Sequence, residues 1–170
     1  MPSYSAQFAG RFLDNIQAVL ERDVNTRVAA LDSELALFSD EERQMLGFRV
    51  PTAIATNFPA LYLEPAQSDL SQSADDSRIE QEHEFVISLA VTGPDDYTLQ
   101  RRVITYVTAI DQALRRASDA NMLGSAPTSA VRKPVWEVTQ HRYSVTFNVP
   151  GTTIYRRNAQ LVLKIQMLER

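Results

Sequence analysis

The sequence predicts an α+β fold: a mainly antiparallel four-stranded sheet with two helices packed on one face, preceded by a long N-terminal helical region. Three observations lead there. Two Pro-free stretches repeat apolar residues at intervals of three and four, the period of a half-buried helix. Other stretches alternate apolar and polar residues, the period of a half-buried strand. The order is two strands, a helix, then two strands, which pairs neighbours antiparallel under one helical layer. A chain of 170 residues holds one structural unit, read as a helical region over 1–50 and an α+β domain over 51–170.

The first helical run spans about 5–38, with Phe8, Phe12, Ile16, Val19, Leu20, Val24, Val28, Leu31 and Leu35 on one stripe. Asp23-Val24-Asn25-Thr26 are poor helix formers and mark a place for a bend or break. Ser39 and Glu42 have capping-box spacing for a short helix that Gly47 would end. Phe58 to Glu64 reads as a strand closed by Pro65, and the polar stretch 66–81 as a long solvated loop. Glu82 to Thr92 is a strand with Phe85, Ile87, Leu89 and Val91 on one face. Gly93-Pro94 stops it, and Asp95 or Asp96 caps a helix from Tyr97 to Ser118. Its stripe is Leu99, Val103, Tyr106, Val107, Ile110, Ala113, Leu114 and Ala117. After an irregular 119–134, a terminal hairpin puts Tyr143, Val145, Phe147 and Val149 on one apolar face. Pro150-Gly151 suits a type II turn, and Ala159, Leu161, Leu163, Ile165 and Met167 line the last strand.

Composition narrows the function. Apolar residues at 44% and charged residues at 22% are those of an ordinary globular chain, able to fold without staples. With no cysteine, disulfides, zinc-thiolate sites and thiol nucleophiles are excluded. No apolar run approaches the roughly 20 residues that cross a bilayer, so no membrane partner is expected. Met1-Pro2-Ser3-Tyr4 does not have the form of a signal peptide. A net charge of −4 argues against a protein built to grip phosphates.

Chemistry-bearing residues are few. His83 and His141 lie among charged residues on strands and read as surface or cross-strand histidines; a metal would need their strands to pair in register. No Gly-x-Ser-x-Gly elbow and no phosphate-cradling glycine loop is present. The pairs Asp75-Asp76 and Asp95-Asp96 fall in a polar loop and at a helix start, where burial would not raise a pKa for acid catalysis. Neither a reaction nor a cofactor or metal is expected. The basic groups are Arg101-Arg102, Arg115-Arg116, Arg132-Lys133 and Arg156-Arg157. The helical pairs read as a solvated face. Arg132, Lys133, Arg156 and Arg157 flank the terminal strands beside Trp136 and Tyr155, an aromatic-plus-arginine grouping typical of interfaces. Trp136 reads equally well as core at a strand start.

A family resemblance then joins these pieces. The chain resembles the tail terminator and tail-completion proteins of tailed bacteriophages, the lambda tail terminator family. The resemblance rests on the helix, the strand Phe58-Pro59-Ala60-Leu61-Tyr62-Leu63, a polar loop, the strand Glu84 to Val91, the helix Leu99 to Ala117 and the final hairpin, together Phe58 to Met167. It implies a structural virion protein of the neck or tail, assembled in the bacterial host cytoplasm. It also implies a homo-oligomeric ring, a hexamer, that caps the tail tube protein and meets the head-side connector or head-closure protein. Double-stranded DNA would pass through without sequence-specific binding. On this reading a second sheet face with Val86, Ala90, Val138 and Val162, beside Arg156-Arg157, faces a neighbouring subunit. Another neck, head-closure or tail-tube-like protein stays open, as does a small-molecule-binding or hydrolytic α+β domain.

Overall fold

The first helical stripe folds as one element. The computed structural model describes residues 4–33, 38, 48–49, 58–72, 79–119 and 135–169, and in it α1 (Tyr4–Asp32) runs unbroken. No break occurs at Asp23-Val24-Asn25-Thr26, because Val24 and Val28 are fully buried and carry the apolar stripe of Phe12, Ile16, Val19 and Leu20 onward. Tertiary burial outweighs the few tenths of a kcal/mol per residue, roughly, that propensity withholds. The capping-box helix of Ser39 to Leu46 and the position of Leu35 lie outside the described residues.

The strands are β1 (Phe48–Arg49), β2 (Ala60–Gln72), β3 (Ile79–Gly93), β4 (Val135–Tyr143), β5 (Phe147–Asn148) and β6 (Tyr155–Glu169). They form one sheet in the order β1-β2-β3-β6-β4, with β5 also on β6. Every pairing is antiparallel except that of β1 with β2. The sheet therefore exceeds the four strands predicted. Alternation marks β3, β6 and the start of β2, whereas β4 precedes the alternation seen at 143–149, and β1 and β5, two residues each, are too short to show a period.

Helix α2 (Asp96–Asp119) starts at a true cap: Asp95 accepts the Thr98 N–H on its carboxylate at 2.8 Å, and its carbonyl accepts the Leu99 N–H at 3.1 Å. That backbone N–H holds the Asp95 carboxyl below its usual range. All eight residues of the predicted α2 stripe are buried. Seven of them pack on Phe85, Ile87, Leu89 and Val91 of β3 and on Ala159, Leu161, Leu163 and Ile165 of β6, while Ala117 packs with Val19, and α1 lies beside α2 on the same sheet face. One core thus unites the N-terminal helix with the sheet.

The predicted loop over 66–81 needs correction. Residues 66–72 prolong β2 and 79–81 begin β3, paired from Gln67 with Glu84 to Gln72 with Ile79. Pro65 does not end the strand; it stands at a register shift between Pro65 and Gln67, where a bulge tolerates its missing N–H. Backbone pairing holds this stretch while its side chains at 65–67 stay exposed, so apolar periodicity gives no sign of it.

The apolar face expected for 143–149 is also reversed. β4 stops at Tyr143, and Tyr143, Val145 and Phe147 are 44%, 81% and 40% exposed. The polar members turn inward instead. The Ser144 hydroxyl accepts the Asn158 N–H at 2.9 Å, and the Thr146 hydroxyl bonds the Asp96 carboxylate. These bonds fix the phase of an edge segment that no helix covers. The Pro150-Gly151 turn is as expected: Gly151 has φ +76°, and the Thr152 N–H reaches the Val149 carbonyl at 3.1 Å.

Candidate interaction surface

Cross-strand partners share a face, so the register assigns the described side chains of the long strands to one side or the other. The helix side carries His83 opposite Ile165 and Trp136, and Val138 opposite Leu163. The outer side, which neither helix covers, carries Tyr62, Ser88, Gln160 and Arg142 in one row and Val86 and Val162 in the next. Val138 therefore does not share a face with Val162, contrary to the expectation, because β6 pairs it one residue out of that phase. Ala90 and Val162 are nearly buried on the outer side.

The six expected contact residues separate on this frame. Arg132 and Lys133 lie outside the described residues. Trp136 is half-buried on the helix side, edge-on to Phe12 with ring centroids 5.2 Å apart, and it also covers Val19 and Ala117. Tyr155 packs half-buried against the core. Arg156 and Arg157, being neighbours on β6, point to opposite faces. The Arg157 guanidinium donates to the Ser144 carbonyl at 3.0 Å on the helix side. Arg156 reaches the outer side, where its guanidinium lies 4.8 Å from the Phe58 ring centroid and 5.8 Å from that of Phe147 and donates to Asn158 at 3.1 Å.

Arg156 forms one wall of a groove of about 410 Å³ on the outer side. Tyr62, Ser88, Asn158 and Gln160 form its floor, and Arg142 stands at the other wall. No carboxylate is among the lining residues. The groove's serines are engaged with amides and not with a base: Ser88 accepts from Gln160 at 3.2 Å, and Ser144 accepts from the Asn158 backbone. Chemically, this is a polar surface with two guanidinium groups, suited to carboxylate oxygens.

The two histidines do not come together. β6 lies between their strands, with His83 opposite Ile165 and His141 opposite Leu161. His83 corrects the surface reading: it is buried against Phe12, 6.1 Å between ring centroids, with Nε2 3.4 Å from Gln81 Oε1. Its burial lowers the imidazole pKa. Among the described residues no cluster of metal ligands occurs, and no helix is long and apolar enough to cross a membrane.

The sequence reading missed Phe58, Arg142, Phe147, Asn158 and Gln160 as surface formers. Each is unremarkable in the chain; the register of β4, β5 and β6 gathers Arg142, Phe147, Asn158 and Gln160, and Phe58 joins them from just ahead of β2.

No family model matches the chain, and no curated protein matches its sequence. Among solved structures, a chain from the virion of a native gene transfer agent particle shares the fold, with a TM-score of 0.50 and 16% identity. The alignment covers 96% of this chain and 99% of that one. The type 4 fimbrial biogenesis protein PilO from Pseudomonas aeruginosa aligns over 59% of this chain and 53% of its own, at 17% identity and a TM-score of 0.22, which is too low for a common fold.

Proposed function

We propose that the chain is a structural virion protein that forms a homo-oligomeric ring, a hexamer, at the head–tail junction. There it caps the finished tail tube and joins it to the head-side connector. The observation that carries this reading is the end-to-end overlap, 96% and 99% of the two chains, with a component of a gene transfer agent virion. The reading is also supported by an outer sheet face that neither helix covers and that holds aromatic and arginine side chains, a composition favoured in interfaces. The role calls for no reaction and no cofactor. A net charge of −4 suits a channel through which double-stranded DNA slides without retention, because each Lys or Arg contact to phosphate adds affinity.

The test is direct. Light scattering and negative-stain imaging of the purified protein are expected to give rings, and the rings are expected to bind isolated tail tubes and connectors. A strict monomer that binds neither overturns the reading. Polymerisation into tubes would instead assign the chain to the tail tube.

A further inference from the structure

The outer face of the sheet is electrically divided along its length. Arg142 and Arg156 flank the groove at one end, with no carboxylate in its lining. Toward the other end, Asp69, Glu82, Glu84 and Glu137 share the face with Lys164. Lys164 pairs with Glu82 at 2.7 Å and stands 3.9 Å from Glu84. This pairing raises the lysine and lowers the Glu82 carboxyl, each chiefly through their mutual hydrogen bond. One ammonium offsets only part of the acidic group. The division is present in the chain itself: Glu64 to Glu84 holds seven carboxylates and one arginine, whereas Val138 to Leu168 holds three arginines, one lysine and no carboxylate.

The two ends are complementary but cannot meet within one molecule. Ser88 in the groove and Glu82 in the acidic group are both on β3, about 20 Å apart at roughly 3.4 Å per residue. We propose that the groove receives the acidic end of the sheet from a second copy of this chain, with Asp69 and Glu84 meeting Arg142 and Arg156. This inference rests on the ring reading above and supplies its joint. Two different surfaces make a head-to-tail contact, which gives a ring when the rotation between successive copies closes and a filament when it does not. Arg156 is already held by Phe58, Phe147 and Asn158, so ordering it on docking costs little. A second copy is favoured over an unrelated acidic partner because the missing carboxylates are on this chain, segregated to the end where a neighbour would present them.

Charge reversal with mass in solution as the readout tests the joint. One variant carries Arg142→Glu and Arg156→Glu, the other Asp69→Lys and Glu84→Lys. Each alone is expected to weaken assembly at least about tenfold. Mixed in equal amounts, or with all four changes in one chain, they are expected to recover the wild-type mass. Full assembly of either variant alone overturns the joint and leaves the ring reading standing, whereas a discrete two-fold dimer of the wild type overturns both. A wild-type protein that stays monomeric and binds neither removes both. Because misfolded variants would also fail to assemble, salt provides a second measurement on the unaltered protein. Wild-type assembly should weaken steeply at high salt, and salt-independent assembly overturns the joint.

Discussion

Arg156 and Arg157 are adjacent in sequence and act on opposite sides of the sheet: one guanidinium lies over Phe58 at 4.8 Å, the other donates to the Ser144 carbonyl at 3.0 Å. Their substitutions should therefore separate. Arg156→Ala is expected to weaken self-association by about 2 kcal/mol, roughly 30-fold, as for a central arginine in an interface. Arg157→Ala should leave association unchanged and lower stability slightly by freeing the 144–146 segment. Sedimentation equilibrium on both variants checks this; equal effects would mean that the outer face is not the interface.

Phe12 and Trp136 join α1 to β4 across the core rim. Phe12→Ala removes a buried ring, with an expected cost of about 3–5 kcal/mol. Trp136→Ala should cost less, about 2–3 kcal/mol, because part of the indole already faces water. The double variant should fall short of additivity by about 0.5–1.5 kcal/mol, the worth of an edge-to-face pair. Urea unfolding of the four proteins gives the cycle.

Burial of His83 lowers its folded-state pKa below the ordinary 6.5. The unfolded chain therefore takes up this proton first as pH falls. The stability this group contributes is complete above about pH 6.5 and is lost progressively as pH drops toward the folded-state pKa. His83→Gln should flatten that part of the stability profile, even if it lowers the plateau. An unchanged slope between wild type and variant below pH 6.5 would show that other groups set it.

Gly151 has φ +76°, a left-handed conformation that costs an L-residue about 1–2 kcal/mol. Nothing lies within 4 Å of a Cβ added there, so backbone strain alone is at stake. Gly151→Ala should lower unfolding stability by about that amount, and Gly151→Asn by less. Thermal melts distinguish the two.

Gly93 presents a different constraint. A Cβ there would stand 3.2 Å from the Leu99 Cβ, where the end of β3 meets the first turn of α2. Gly93→Val should cost about 1–3 kcal/mol through overpacking. Leu99→Ala keeps the Cβ and Cα that crowd the site, so the paired variant should add the loss of a buried leucine to the cost of Gly93→Val. Denaturant titration of the three variants reads the balance.

The chain by itself determined both helices, β6 and the apolar parts of β2 and β3, whereas β4 lies ahead of the alternation at 143–149. It also determined the Asp95 cap, the Pro150-Gly151 turn and nearly every core position. These are local matters: a period of 3.6 or 2, a side chain that caps, a glycine where φ must be positive. Tertiary structure alone decided what lies across from what. The polar stretch 66–72 is a strand because β3 supplies its hydrogen bonds, and no side-chain pattern records that. Tyr143, Val145 and Phe147 are exposed because Ser144 and Thr146 are bonded inward, reversing a face that alternation alone would bury. His83 is buried because α1 brings Phe12 over it. The arginine groove follows the same rule. Arg142 and Arg156 come to one face through the register of β4 and β6, and Phe58, nearly a hundred residues away, reaches Arg156 just ahead of β2, because strand pairing is set by partners far away in sequence.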